Sequence, residues 1–243
     1  MSSTPAAPPG PPAAVLWDMD GTLVDTEPSW VEAEFALVRE HGRSWSLELA
    51  RSLVGSDLRV SAGVLQREGG VRLGTEEIVQ GLTERVLAAV RERVSWRPGA
   101  LELLTAVLAG GVPCALVTMS WSSLAHEVVR RAPEGAFAAV VTGDTAARPK
   151  PAPDPYLQAA RALGVDPGAC VALEDSRTGV ASALAAGVPT VGVPHVVPLD
   201  PAPGLVRVPT LRGLDLPWLA RVAAGDAEDA LTGAGGAAGV SGS

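Results

Sequence analysis

Asp18 and Asp20 stand two residues apart where the apolar run of residues 13–17 ends, and Gly21-Thr22 follow at once. Two carboxylates so placed put a nucleophile and an acid/base in one small site. A second acidic pair, Glu174-Asp175, closes the apolar run of residues 170–173. Adjacent acids at a strand end favour a hard divalent cation with oxygen ligands, Mg²⁺ above all. Lys150 lies in Arg148-Pro-Lys-Pro151 and is the single lysine among 19 basic residues. An ammonium is a compact point charge beside a phosphate or carboxylate, whereas guanidinium is a wide fork. Each fragment also has an ordinary reading. Asp20-Gly21 alone is a turn signal, Lys150 a solvated loop residue, and Asp175 a helix cap, a role Ser176 can fill equally well.

Strands must present these residues together. The runs 13–17, 114–118, 137–142, 170–174 and 190–193 are short, apolar and bounded by turn residues, as buried strands are. Helices are expected between them over 99–109, 122–131, 154–163 and 176–186, with Asp154 as an N-cap. Continuous apolar strands alternating with helices imply a parallel sheet covered on both faces. Ligands bind outside the carboxyl ends of such strands. A further strand at 205–208 and a helix at 217–224 complete the pattern.

Between Gly21 and Trp96 the pattern is wholly helical. Pro28 suits the first residue of a helix running to His41-Gly42, Ser46 and Asp57 suit the caps of two more, and Thr75-Glu76-Glu77 opens a fourth helix reaching about Val94. The expected division is a core of residues 13–22 and 97–224, a helical insert of residues 23–96, and disordered tails at 1–12 and 225–243.

Composition narrows the function. With 47% hydrophobic residues the chain is globular, and a formal charge of −8 argues against nucleic-acid binding. An acidic protein that handles an anion must supply positive potential locally, through a metal, Lys150 or helix N-termini. The two cysteines, Cys114 and Cys170, fall inside apolar runs and are expected to be buried and free. No secretory signal or membrane span is legible, so a cytoplasmic, soluble monomer without membrane partners is expected.

The fragments Asp18-Met-Asp20-Gly21-Thr22, Thr118-Met119-Ser120, Lys150 and Glu174-Asp175, in this order, resemble the four motifs of the haloacid dehalogenase-like hydrolases. The resemblance covers residues 13–194, and the helical insert looks like the α-helical cap of one branch, that of β-phosphoglucomutase and phosphoglycolate phosphatase. It implies an α/β fold with a Rossmann-like sheet and a four-helix cap. By resemblance Asp18 is the nucleophile that becomes an aspartyl-phosphate and Asp20 the general acid and base. Thr118, Met119, Ser120, Lys150 and Gly21 would hold phosphate or the backbone near it. Asp18, the Asp20 carbonyl, Asp175 and Glu174 (through water) would hold Mg²⁺.

The expected activity is hydrolysis of a small phosphorylated metabolite, with a phosphosugar mutase as the alternative. Against the mutase, Trp30, Val54 and Leu58 occupy positions where it carries a histidine, a lysine and an arginine, although Arg59 lies one residue away. Specificity is expected from Trp30, Val54, Ser56 and Arg59. Asp25-Thr26-Glu27 reads as a hinge and helix start rather than as part of the chemistry.

Overall fold

The apolar runs become six parallel strands in a computed structural model that describes residues 9–231. They are β1 Val15–Trp17, β2 Cys114–Val117, β3 Ala139–Val141, β4 Val171–Glu174, β5 Thr190–Gly192 and β6 Leu205–Arg207, in the order β3-β2-β1-β4-β5-β6. Each strand is one to three residues shorter than its predicted run. β1 is central, with Val15 opposite Cys114 on one side and Val171 on the other. The in-register pairing brings Asp18, Thr118 and Glu174 to the same edge. Beyond β1 the Asp18 amide still donates to Leu173 O at 3.0 Å, and beyond β2 Thr118 donates to Val141 O at 2.9 Å.

Alternate side chains of these strands enter two separate apolar layers. Val15, Trp17, Leu116 and Leu173 face one, while Leu16, Ala115, Val117 and Ala172 face the other. Both faces are buried, as expected for a sheet with crossover helices on each side. The helices around the sheet are α5 Ala100–Ala109, α6 Ser122–Arg131, α7 Asp154–Leu163, α8 Arg177–Ala185 and α9 Leu216–Ala224. They are numbered after the four inserted helices, α1 Glu27–Glu40, α2 Leu47–Ser52, α3 Leu58–Arg67 and α4 Thr75–Glu92.

Several caps form as the residue types require. Ser46 accepts from the Leu49 amide at 3.1 Å, and Asp57 accepts from Arg59 at 2.9 Å. Other ends differ from expectation. α1 begins at Glu27 rather than at Pro28, and its N-cap Thr26 makes no side-chain cap because its hydroxyl is engaged at Asp20. α4, by contrast, opens at Thr75 as expected, capped from Gly74, whose amide donates to Glu77 at 2.7 Å. Asp154 does not cap α7. Pro153 holds that position, and the Asp154 carboxylate pairs with Arg148 at 2.8 Å.

The two connections between insert and sheet run side by side. Val24 bridges Trp96 in antiparallel fashion, Asp25 donates to Ser95 O at 2.7 Å, and Arg97 donates to Leu23 O at 2.9 Å. The insert also rests on the sheet layer through α4 against α6, where Arg91 meets Glu127 at 3.5 Å. Residues 226–231 pack back on β6 rather than forming a tail. Arg207 pairs with Asp229 at 2.8 Å, and the Ala230 amide donates to Arg207 O at 3.0 Å. The rest of the expected tails, residues 1–8 and 232–243, lies outside the described residues. Cys114 and Cys170 are buried and free, and no helix among the described residues is long and apolar enough to cross a membrane.

Candidate active site

Strand ends converge on Lys150. Its ammonium donates to Asp18 Oδ1 at 2.8 Å, to Glu174 Oε1 at 2.6 Å and to Val117 O at 2.9 Å. It also lies 5.2 Å from the centre of the Tyr156 ring. Thus ends of β1, β2 and β4 are tied to one nitrogen, whose side chain is only 2% exposed. Burial disfavours the ammonium's charge, but Asp18 and Glu174 outweigh burial and hold its pKa above the ordinary value.

Glu174 has no free oxygen. Oε1 takes Lys150 and, at 2.7 Å, the Tyr156 hydroxyl. Oε2 accepts from the Asp175 amide at 3.2 Å, the Ser176 amide at 3.4 Å and the Ser176 hydroxyl at 3.2 Å. The same Ser176 hydroxyl caps α8 by accepting from Gly179 at 3.0 Å. Glu174 is therefore an anchor for the lysine. Tyr156, the one tyrosine of the chain, escaped the sequence reading, though it follows Lys150 at the start of a predicted helix.

Asp18 and Asp175 are placed otherwise. Asp18 Oδ2 and Asp175 Oδ2 are buried with no hydrogen-bond partner among the described residues. Asp18, Asp175 and Glu174 each offer an oxygen within 4.8 Å of the others. Burial, then Glu174, pushes the Asp18 pKa up to about 7 against the pull of Lys150. Asp175 is raised well above the carboxylate range, by burial and then by Asp18 and Glu174. Unpartnered buried oxygens are costly, and one lysine cannot balance this many acids. A hard divalent cation would satisfy both oxygens and reverse the pKa shifts, so the donor set fits Mg²⁺.

Asp20 lies on the opposite side of the cleft floor. Its Oδ1 accepts from Thr26 at 2.6 Å and Trp30 Nε1 at 3.1 Å; its Oδ2 accepts from Thr118 at 2.9 Å and Ser120 at 2.8 Å. Thr26 and Trp30 are partners that the sequence reading assigned to a hinge and to specificity. Met119 lines the cleft, and its sulfur accepts from the Lys150 amide at 3.3 Å. Gly21 does not line the cleft. It has φ +82° and lies so close to Asp175 that any Cβ would collide with that carboxylate.

The cleft encloses about 670 Å³ of empty space, its open mouth included. The insert supplies its far wall, including Glu27, Trp30, Val54 and Ser56. Arg59 is not there. It pairs with Glu76 at 2.8 Å and stacks 5.2 Å from the Trp121 ring. Glu27 is buried, and burial, then Asp20 and Glu34, pushes its pKa up to about 8. Helical spacing could have revealed it, because positions 27, 30 or 31, and 34 share one face of α1.

Residues 15–193 match the family model for haloacid dehalogenase-like hydrolases. The chain belongs to this family. Among curated relatives of this hydrolase, the phosphorylated carbohydrates phosphatase of Thermotoga maritima is 32% identical over 75% of the chain and 85% of its own length. Hexitol phosphatase A of Escherichia coli is 32% identical over 73% and 81%. Of solved structures, CbbY from Rhodobacter sphaeroides in complex with phosphate has a TM-score of 0.75 at 27% identity, covering 83% of this hydrolase and 96% of that chain. A β-phosphoglucomutase from Clostridium difficile superposes at 0.77 with 18% identity, covering 88% and 97%, which speaks to the fold alone.

Proposed function

We propose that the chain is a Mg²⁺-dependent phosphatase that hydrolyses a phosphorylated carbohydrate through an aspartyl-phosphate on Asp18. The observation that carries this reading is the pair of buried, unpartnered oxygens on Asp18 and Asp175 beside the Lys150 ammonium. The names of the relatives support phosphorylated carbohydrates as the substrate class. Residues 23–96 serve as a cap over a core of residues 13–22 and 97–224.

Asp18 attacks phosphorus, and the P–O bond to the sugar breaks as Asp20 gives that oxygen a proton. Asp20, now a carboxylate, takes a proton from water as the water attacks the acyl phosphate. Phosphate leaves and Asp18 is restored. Thr26 and Trp30 hold Oδ1 of Asp20, and Oδ2, which Thr118 and Ser120 now occupy, would carry the proton once those two hydroxyls turn to the phosphate. Thr118 and Ser120, which now donate to Asp20, are placed to turn toward phosphoryl oxygens. Lys150 fixes the orientation of Asp18 and offsets phosphate charge. Asp18, Asp175 and the Asp20 carbonyl would hold Mg²⁺, with Glu174 acting behind them. When bound, the ion supplies charge neutralisation of the phosphoryl group.

The wall facing the centre argues against the mutase, since Trp30, Val54 and Leu58 line it while Arg59 is engaged elsewhere. The test is phosphate release from para-nitrophenyl phosphate and a panel of sugar phosphates, with Mg²⁺ or EDTA. Turnover should require the ion and fall by about 10⁴-fold or more in Asp18→Asn. Full activity in EDTA, or in that variant, would overturn the proposal.

A further inference from the structure

The far wall of the cleft carries no positive charge. α1, the segment after α2, α3 and α4 contribute Trp30, Val31, Leu53, Val54, Leu58 and Leu82 to it, and its ionisable side chains are two acids, Glu27 and Glu34. Lys150 is the one cation lining the cleft among the described residues, and it is committed to Asp18 and Glu174 on the floor. Arg51 and Arg59 adjoin this wall in sequence but do not line it, and Arg59 is held away by Glu76 and Trp121. The Glu34 carboxylate is fixed in place by Trp45 Nε1 at 3.0 Å, and both acids are buried.

We infer that the cleft accepts only phosphomonoesters whose alcohol bears no second phosphate or carboxylate. The accepted leaving group is uncharged or cationic, its hydroxyl or amino groups meeting Glu27 and its carbon face lying on Trp30 and Val54. This rests on the phosphatase reading and narrows it. A second phosphate brings a charge of about −1.5 to −2. Here it would lose water against hydrocarbon and two carboxyl groups, with no donor cation to replace that water. Rejection of an unpaired buried charge is a strong means of discrimination, because the wrong ligand loses hydration and meets no cation in exchange.

The experiment compares kcat/KM of the full chain with Mg²⁺ on matched pairs. These are hexose monophosphates against the corresponding bisphosphates, and glycerol 3-phosphate against 3-phosphoglycerate. Para-nitrophenyl phosphate reports the chemistry itself. The member whose leaving alcohol is uncharged should be favoured by about 100-fold in each pair. Val54→Lys, which puts a cation on the wall, should raise the bisphosphate-to-monophosphate ratio about tenfold. Equal turnover within the pairs, or an unmoved ratio in folded Val54→Lys, would overturn the inference while leaving the phosphatase reading intact. Silence toward para-nitrophenyl phosphate and every sugar phosphate would overturn the parent reading and this inference with it.

Discussion

Lys150 occupies a cage built for a small, nearly spherical charge. Its three oxygen contacts, at 2.6 to 2.9 Å, come from three different strand ends, and the Tyr156 ring closes the remaining side. A guanidinium has the same charge but a planar fork that cannot converge on these oxygens. Lys150→Arg should therefore lower kcat/KM by about 100-fold or more, measured on any accepted monophosphate. Lys150→Met leaves buried acids unbalanced and should cost about 3 kcal/mol in urea unfolding of the metal-free protein. Glu34 gives a pH signature. Burial raises its pKa from 4.5 to about 7, although the Trp45 hydrogen bond pulls the other way. The folded state then holds more protons than the unfolded one between those values, so stability falls as pH rises from 4.5 toward 7. Glu34→Gln should flatten that fall, seen in thermal melts across the same window.

At the scale of elements, α8 matters because its first turn seats Glu174. Gly179 lies in that turn, and a Cβ there would collide with the Glu174 carboxylate. Alanine would favour the helix by about 1 kcal/mol, yet forcing a buried carboxylate aside costs about 1–3 kcal/mol, so the collision wins. Gly179→Ala should therefore be less stable by about 1 kcal/mol and less active, because Glu174 no longer holds Lys150 in place. Unchanged melting and turnover would mean that the carboxylate has room to move. α1 has a comparable influence. Its helical spacing puts Glu27, Trp30, Val31 and Glu34 on one face, and that face lines the cleft. A hinge reading of Asp25-Thr26-Glu27 was therefore incomplete, since the same segment supplies a donor to Asp20 and an acid to the wall.

The whole molecule carries a formal charge of −8, and its centre collects more acid than its one lysine balances. The cation of the proposed function would then stabilise the fold as well as serve the chemistry. Mg²⁺ at about 100 times its dissociation constant should add about 2.7 kcal/mol, read as a rise in melting temperature. Asp175→Asn should lose most of that rise while remaining folded; a full rise in the variant would place the ion elsewhere. The insert and sheet layer meet through paired connections at Val24 and Trp96 and through α4 on α6. Thr178 adds a hydrogen bond to Gly55 O at 2.7 Å across the cleft.

From the sequence by itself came the strands, the helical insert and the residues of the floor. Each of those is signalled locally, by apolar runs of strand length or by acids at their ends, and the sheet register then brings them together. Tertiary structure decided the partners. That Glu174 serves Lys150, that Thr26 and Trp30 serve Asp20, and that Arg59 turns away to Glu76 depend on how the packed elements bring these side chains together, not on a pattern within one segment. A local pattern indicates which faces are apolar, but the pairing of polar groups follows from which unsatisfied donors and acceptors the packed elements bring within about 3 Å of one another.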